Sequence, residues 1–219
     1  MWNSQVIIML LEGIRDTLYM TLASILFGYI IGLPMGIVLT VTDKDGIRPN
    51  AAVYKVLDVI SNLLRSIPFI ILLIVLIPFT RFVVGRSYGS TATIVPLTIA
   101  AAPYIARMVE SSLKEVDAGV IEAARSMGAS DFQIVTKVML VEARTSLIVG
   151  ATISLGTILG YSAMAGTVGG GGLGDIAIRY GYTRWQTDIM VVTVVLLVIL
   201  FQIFQTIGMK IANRLDRRK

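Results

Sequence analysis

The chain has no cysteine and no histidine in 219 residues. Without cysteine there is no disulfide, no thiolate nucleophile and no Cys-based metal site. Without histidine the commonest general base and metal ligand is missing. Charge is scarce as well: Asp, Glu, Lys and Arg make up 15% of the chain against 55% hydrophobic residues, and mean hydropathy is +0.80. A soluble core of this size cannot absorb so much apolar surface, whereas lipid can. "MWNSQVIIMLL" has no basic start and no small-residue cleavage site, so no cleavable targeting signal is expected. No G-x-x-x-x-G-K-[ST] occurs, which excludes a P-loop in this chain.

What is present is a set of long apolar runs. Residues 17–42, 87–106, 145–174 and 189–209 carry no charge, and 56–80 carry only Asp58 and Arg65. A helix needs about 20 residues to cross roughly 30 Å of hydrocarbon. The runs therefore predict an all-α membrane protein of five transmembrane helices, at about 17–42, 56–80, 87–106, 145–167 and 188–210. A strand barrel would show alternating segments of about ten residues instead. Ahead of the first span, Val6, Ile7, Leu10, Leu11 and Ile14 fall at helical spacing, so 1–16 reads as an amphipathic N-terminal segment. The chain closes on a basic tail, 212–219.

The net charge of +5 is a topology signal rather than a nucleic-acid footprint. With five spans, one set of polar segments holds Lys44, Arg48 and Lys55, then Arg107, Lys114, Arg125, Lys137 and Arg144, then Lys210, Arg214, Arg217, Arg218 and Lys219. The other set holds only Arg15, Arg81, Arg86, Arg179 and Arg184. The basic excess marks the cytoplasmic side, which puts the N-terminus outside and the C-terminus in the cytoplasm. No nucleic-acid partner is expected; the lipid bilayer is.

Within the spans, Pro68, Pro78, Pro96 and Pro103 predict kinks. Span 4 is rich in small residues, and its Gly156-x-x-x-Gly160 allows close helix contact at the centre of a bundle or dimer. Met164 is one flexible side chain on that small surface, able to fill a constriction and move aside. Tyr161, Ser162 and Met164 are accordingly the candidate gate and pathway residues. "GGGGLG" at 169–174 formally matches G-x-G-x-x-G, but it follows a membrane helix rather than a strand, so a flexible external turn is expected. Glu110, Glu115, Asp117 and Glu122 read as solvated charge, and Asp58 and Arg65 as charges snorkelling near the cytoplasmic end of span 2.

Residues 107–144 form the one polar segment with structure of its own. Asp117 is placed to cap a helix running through Met127, and Gly128 to end it in the left-handed conformation. Ser130 with Gln133 matches a capping box that starts a second helix. At about 100° per residue, Val116, Val120, Ala123, Ala124 and Met127 share one face of the first helix, while Phe132, Ile134, Val135, Val138 and Met139 line the second. The hairpin suits either a surface helix or a knob that docks into a partner.

"EAARSMGASDFQIVTKVML" resembles the EAA loop of bacterial ABC importer permeases, E-A-A-x3-G-x9-I-x-L-P. Glu122, Ala123, Ala124, Gly128 and Leu140 match, Val138 replaces the isoleucine, and Val141 stands where the family has proline. "RSIPFIILL", "APYIARMVE" and "GYSAMAGTVGGGGLG" are similar to the methionine-uptake branch of that superfamily, over roughly residues 13–211. The resemblance implies a type I importer permease fold in the bacterial plasma (inner) membrane. It implies a pairing of two copies of this chain, with two cytoplasmic ATPase subunits and an external substrate-binding protein. Hydrolysis would belong to the partner, so this chain would be neither an enzyme nor a holder of cofactor or metal. Glu122, Ala123, Ala124, Met127 and Gly128 would form the coupling helix that the ATPase pushes on. The rival reading is an ion-gradient-driven secondary transporter, but inverted repeats and mid-membrane charges, frequent in that class, are missing here.

Overall fold

The computed structural model describes residues 4–216; residues 1–3 and Arg217–Lys219 of the basic tail lie outside the described residues. Helix α1 runs unbroken over Ser4–Thr42. The N-terminal segment is thus continuous with the first span from Ser4 onward, since only Gly13 interrupts its helix formers and no proline does. Its Leu10 packs with Leu173, Ile176 and Ile189, which ties it to the bundle.

Further along α1, Thr17, Thr21, Ser24, Gly28, Gly32 and Gly36 form a buried stripe at intervals of three and four residues. Helix α5 (Ser90–Lys114) lies along it and buries Ala101, Ala102, Ile105, Ala106 and Val109. A Cβ on Gly32 would sit 2.6 Å from the Ala102 carbonyl oxygen, and one on Gly36 would sit 2.6 Å from Val109 Cβ. The pair meets backbone to backbone, which in lipid replaces a hydrophobic driving force with close van der Waals contact.

Between α1 and α5 the second apolar run does not cross as a straight rod. It divides into α2 (Ala51–Ser66), α3 (Phe69–Val75) and α4 (Ile77–Val84), and α2 and α3 meet at 102°. The cause is Pro68, which lacks an N–H and forces Ile67 into extended backbone at φ −79°, ψ 123°. Among the described residues four helices are long and apolar enough to span a membrane, and five if the bent pair counts as one.

After α5 come α6 (Ala118–Ser126), α7 (Asp131–Gln133), a π-helical turn (Ile134–Met139) and α8 (Leu140–Glu142). Helix α9 (Arg144–Ala165) returns through the bundle and ends in a 3₁₀ turn, Gly166–Val168. The chain reverses through α10 (Gly172–Ile176) and a second π-helical turn (Ala177–Tyr182) into α11 (Thr187–Leu215). This reversal corrects the expectation of a flexible turn. Gly169, Gly171 and Gly172 hold φ of +78°, +80° and +74°, yet the segment is pinned on both sides. Gly89 N donates to the Gly169 carbonyl at 2.9 Å, Thr93 Oγ1 to the Gly170 carbonyl at 3.1 Å, and Leu173 N to Thr17 Oγ1 at 2.9 Å. Helix α11 is the most exposed of the long helices; it leans on α9, where Gly156 accommodates the Phe201 ring.

Candidate functional site

The hairpin is built by local chemistry. Asp117 caps α6, its carboxylate accepting from Gly119 N at 2.8 Å. At the other end Gly128 takes φ +83°. Its N–H donates to Arg125 O at 3.0 Å, and Ala129 N donates to Ala124 O at 3.1 Å; this pair of bonds is a Schellman stop. The capping box closes as the sequence predicts: Gln133 N donates to Ser130 Oγ at 3.3 Å, and Ser130 N donates to Gln133 Oε1 at 2.9 Å.

The faces need correction. Ala124 is buried at 5% exposure in the core that also holds Ile134, Val135 and Met139, with Ile121 half-buried beside it. Ala123 is exposed, as it must be about 100° away on a helix. The outward surface is Val120, Ala123 and Met127, the last 82% exposed, joined by Phe132 at 76%. Phe132 leaves the apolar face assigned to its own helix because Ile134, Val135 and Met139 already fill the space against α6. Glu122 lines the rim of a cavity of about 440 Å³ between the hairpin and the α1–α2 loop. Arg125 bridges the two, its Nη2 donating to the Ile47 carbonyl at 3.0 Å.

Beside this cavity runs a chain of charges that sequence reasoning missed. Asp43 meets Lys114 Nζ at 2.7 Å, Lys114 meets Glu110 at 2.9 Å, and Glu110 meets Arg107 Nη1 at 2.6 Å. Arg107 then pairs with Asp58 on α2 and donates to Asn62 Oδ1 at 3.0 Å. Glu110 is not solvated; its side chain is 6% exposed and also accepts from the Tyr54 hydroxyl at 3.2 Å. Asp58 does not snorkel but is held by α5. The available signal was the spacing of Arg107, Glu110 and Lys114, which puts all three on one helical face opposite an acid in the preceding span. The Lys114 hydrogen bond holds the Asp43 carboxyl below the ordinary aspartate range. Its contribution to stability is therefore present above the unfolded-state pKa and is lost only as pH falls through the lowered folded value.

The three gate candidates do not converge. Tyr161 stacks on Phe69 of α3 with ring centroids 4.5 Å apart. Ser162 is fully buried, donating to Leu159 O at 2.7 Å and lying 3.5 Å from Thr21 Oγ1. Met164 is half exposed, in line with Ile153, Thr157 and the open Gly160. Residues one or two apart on a helix point in different directions, so Ser162 faces into the bundle of the single chain while Met164 does not. Met164 remains on the open face, and Tyr161 connects it to the bend in the second span.

The family model described as "Binding-protein-dependent transport system inner membrane component" matches residues 7–219. The chain is 48% identical over 210 residues to a probable D-methionine transport system permease protein of Vibrio cholerae, covering 96% of this chain and 93% of that one. It is 54% identical over 158 residues to the D-methionine transport system permease protein of Escherichia coli K12, covering 72% and 73%. Among solved structures it is similar to an inward-facing form of the MetNI methionine ABC transporter. The TM-score there is 0.96 at 50% identity, over 99% of this chain and 100% of that one. An amino acid ABC transporter at 20% identity shares the fold, with a TM-score of 0.78.

Proposed function

Because the chain belongs to the family of binding-protein-dependent transport system inner membrane components, we propose that it is the membrane subunit of an ATP-driven importer carrying methionine inward across a bacterial inner membrane. The observation that carries this reading is the hairpin. A rigidly capped helix displaying Val120, Ala123 and Met127, followed by the exposed Phe132, fits an apolar groove in a separate protein, as helix-in-groove recognition requires. The partner is the ATPase, since this chain carries no P-loop of its own. The hairpin end is cytoplasmic, the N-terminus lies outside, and an external binding protein delivers the substrate. Relatives named for D-methionine transport support the cargo. Two copies pair across the open side of α9, where Ile153, Gly160 and Met164 lie exposed.

The test is co-expression with the cognate ATPase, followed by copurification and uptake in reconstituted vesicles with binding protein present. A stable complex and vanadate-sensitive uptake competed by L- or D-methionine are expected. Uptake driven by an ion gradient without the ATPase would sink the proposal. Met164→Ala should leave assembly intact and raise substrate leak or uncoupled hydrolysis several-fold, because removing a flexible side chain opens the constriction it fills. Wild-type behaviour in both assays would remove Met164 from the gate.

A further inference from the structure

The charges beside the hairpin join parts of the molecule that must move together if the proposed function is right. Lys114 is the last residue of α5, three positions before Asp117, the cap of α6. Through Glu110 and Arg107 it connects to Asp58, and so to α2, which otherwise has little holding it: among its described residues only Ser61 is buried. Helix α2 leads across the Pro68 bend to Phe69, whose ring lies parallel to that of Tyr161 within 2°. Tyr161 is one turn before Met164 on α9.

Burying such charges is costly, and packed apolar residues would often hold two helices as well or better. What an ionic chain adds is directional: its hydrogen bonds specify one register of α2 against α5, where apolar surfaces would permit sliding. The register is defined at several points. Arg107 engages the Asp58 carboxylate, the Asp58 carbonyl at 3.4 Å and Asn62 together, while Tyr54 of α2 reaches Glu110. A displacement of α6 is then carried by α5 into α2 as a rigid unit, and the 102° bend turns it toward α9.

We propose that the Asp43–Lys114–Glu110–Arg107–Asp58 chain, continued through Pro68 and the Phe69–Tyr161 stack, is the internal linkage that transmits movement of the α6 helix to the pathway end of α9. Arg107 and Glu110 act as positioning residues, holding α2 against α5. This inference rests on the coupling role proposed for α6, and the two fail differently. If wild-type protein binds no ATPase, the coupling role is wrong. If the ATPase binds and hydrolyses but the linkage variants transport normally, only the linkage is wrong.

The experiment measures methionine uptake and ATP hydrolysis in parallel for Arg107→Gln, Glu110→Gln and Arg107→Lys, each assembled with the ATPase and binding protein. Arg107→Gln and Glu110→Gln should bind the ATPase and hydrolyse ATP near the wild-type rate, while methionine moved per ATP falls about tenfold, within the usual range of inter-site coupling. Arg107→Lys keeps the charge but offers one nitrogen in place of the guanidinium fork, and should recover only part of that ratio. An unchanged ratio in both glutamine variants overturns the linkage. Equal damage by lysine and glutamine also overturns it, because packing rather than charge would then be at stake. Should the buried positions fail to fold, Asp58→Asn substitutes for them, since its carboxyl is 31% exposed. A normal transport ratio in Asp58→Asn, or loss of ATPase binding by it, overturns the proposal too.

Discussion

Met127→Asp and Gly128→Val are expected to lower ATPase binding by about tenfold or more, and uptake with it, while leaving the protein inserted in the membrane. They act by separate physical routes. Met127 is 82% exposed, so most of its side chain lies outside the packing of the chain. An aspartate there costs the isolated protein little, but in the complex it buries an unpaired charge in an apolar groove, among the most expensive changes an interface can suffer. Gly128 has no side chain to dock, and a Cβ placed on it meets open space. Its role is conformational. At φ +83° a β-branched residue is strained by about 1–2 kcal/mol, and the chain relieves that strain by giving up the Schellman bonds of Gly128 and Ala129. The second helix then no longer leaves α6 at its native angle. Gly128→Asn is the control, because asparagine tolerates the left-handed region and should retain binding. Copurification of the ATPase at matched expression decides the matter. If Met127→Asp binds as wild type does, the outward face of α6 is not the docking surface.

Ala124→Trp, which the EAA pattern alone would suggest, is a poor probe of docking. Its 5% exposure places it inside the hairpin, so a large side chain would push α6 off Ile134 and Met139 and destroy the knob rather than test it. This contrast shows where sequence was informative. Asp117, Gly128, Ser130 and Gln133 were readable because a cap is decided by atoms within four residues of it, and the structure forms each of those contacts. Which alanine of the EAA triplet faces inward depends on the π-helical turn 134–139 packing from the other side, and no local pattern reports that. Glu110 fails for the same reason. A carboxylate near a span end looks solvated until α2 is known to fold over it, and α2 does so only because Pro68 bends the run by 102°. The glycine run at 169–174 looked loose since glycine is permissive, yet that permissiveness is what lets the chain reverse against Thr17 and Thr93.

Gly32→Val should be among the most damaging single substitutions for stability, and it addresses a glycine pattern other than the one that drew attention in the sequence. Gly156 and Gly160 share the G-x-x-x-G spacing with Gly28, Gly32 and Gly36, but the two sets face different surroundings. A Cβ at Gly32 would lie 2.6 Å from the Ala102 carbonyl oxygen and 2.9 Å from Ile105 Cβ. These are backbone and branch-point atoms that cannot rotate away, so the only relief is to separate α1 from α5 along the seam that organises the bundle. Overpacking of an ordinary core costs about 1–3 kcal/mol, and this position belongs at or above the upper end because backbone must move. Thermal unfolding in detergent should show a clear drop in midpoint for Gly32→Ala and little recoverable folded protein for Gly32→Val. Gly160→Ala is the matched comparison: its added Cβ would point into open space beyond its own helix backbone, so the single subunit should be unaffected. If two copies meet across α9, that alanine instead weakens their association, and the loss appears as concentration-dependent dissociation rather than as unfolding. Equal unfolding midpoints for Gly32→Val and wild type would show that the α1–α5 seam does not hold the fold together.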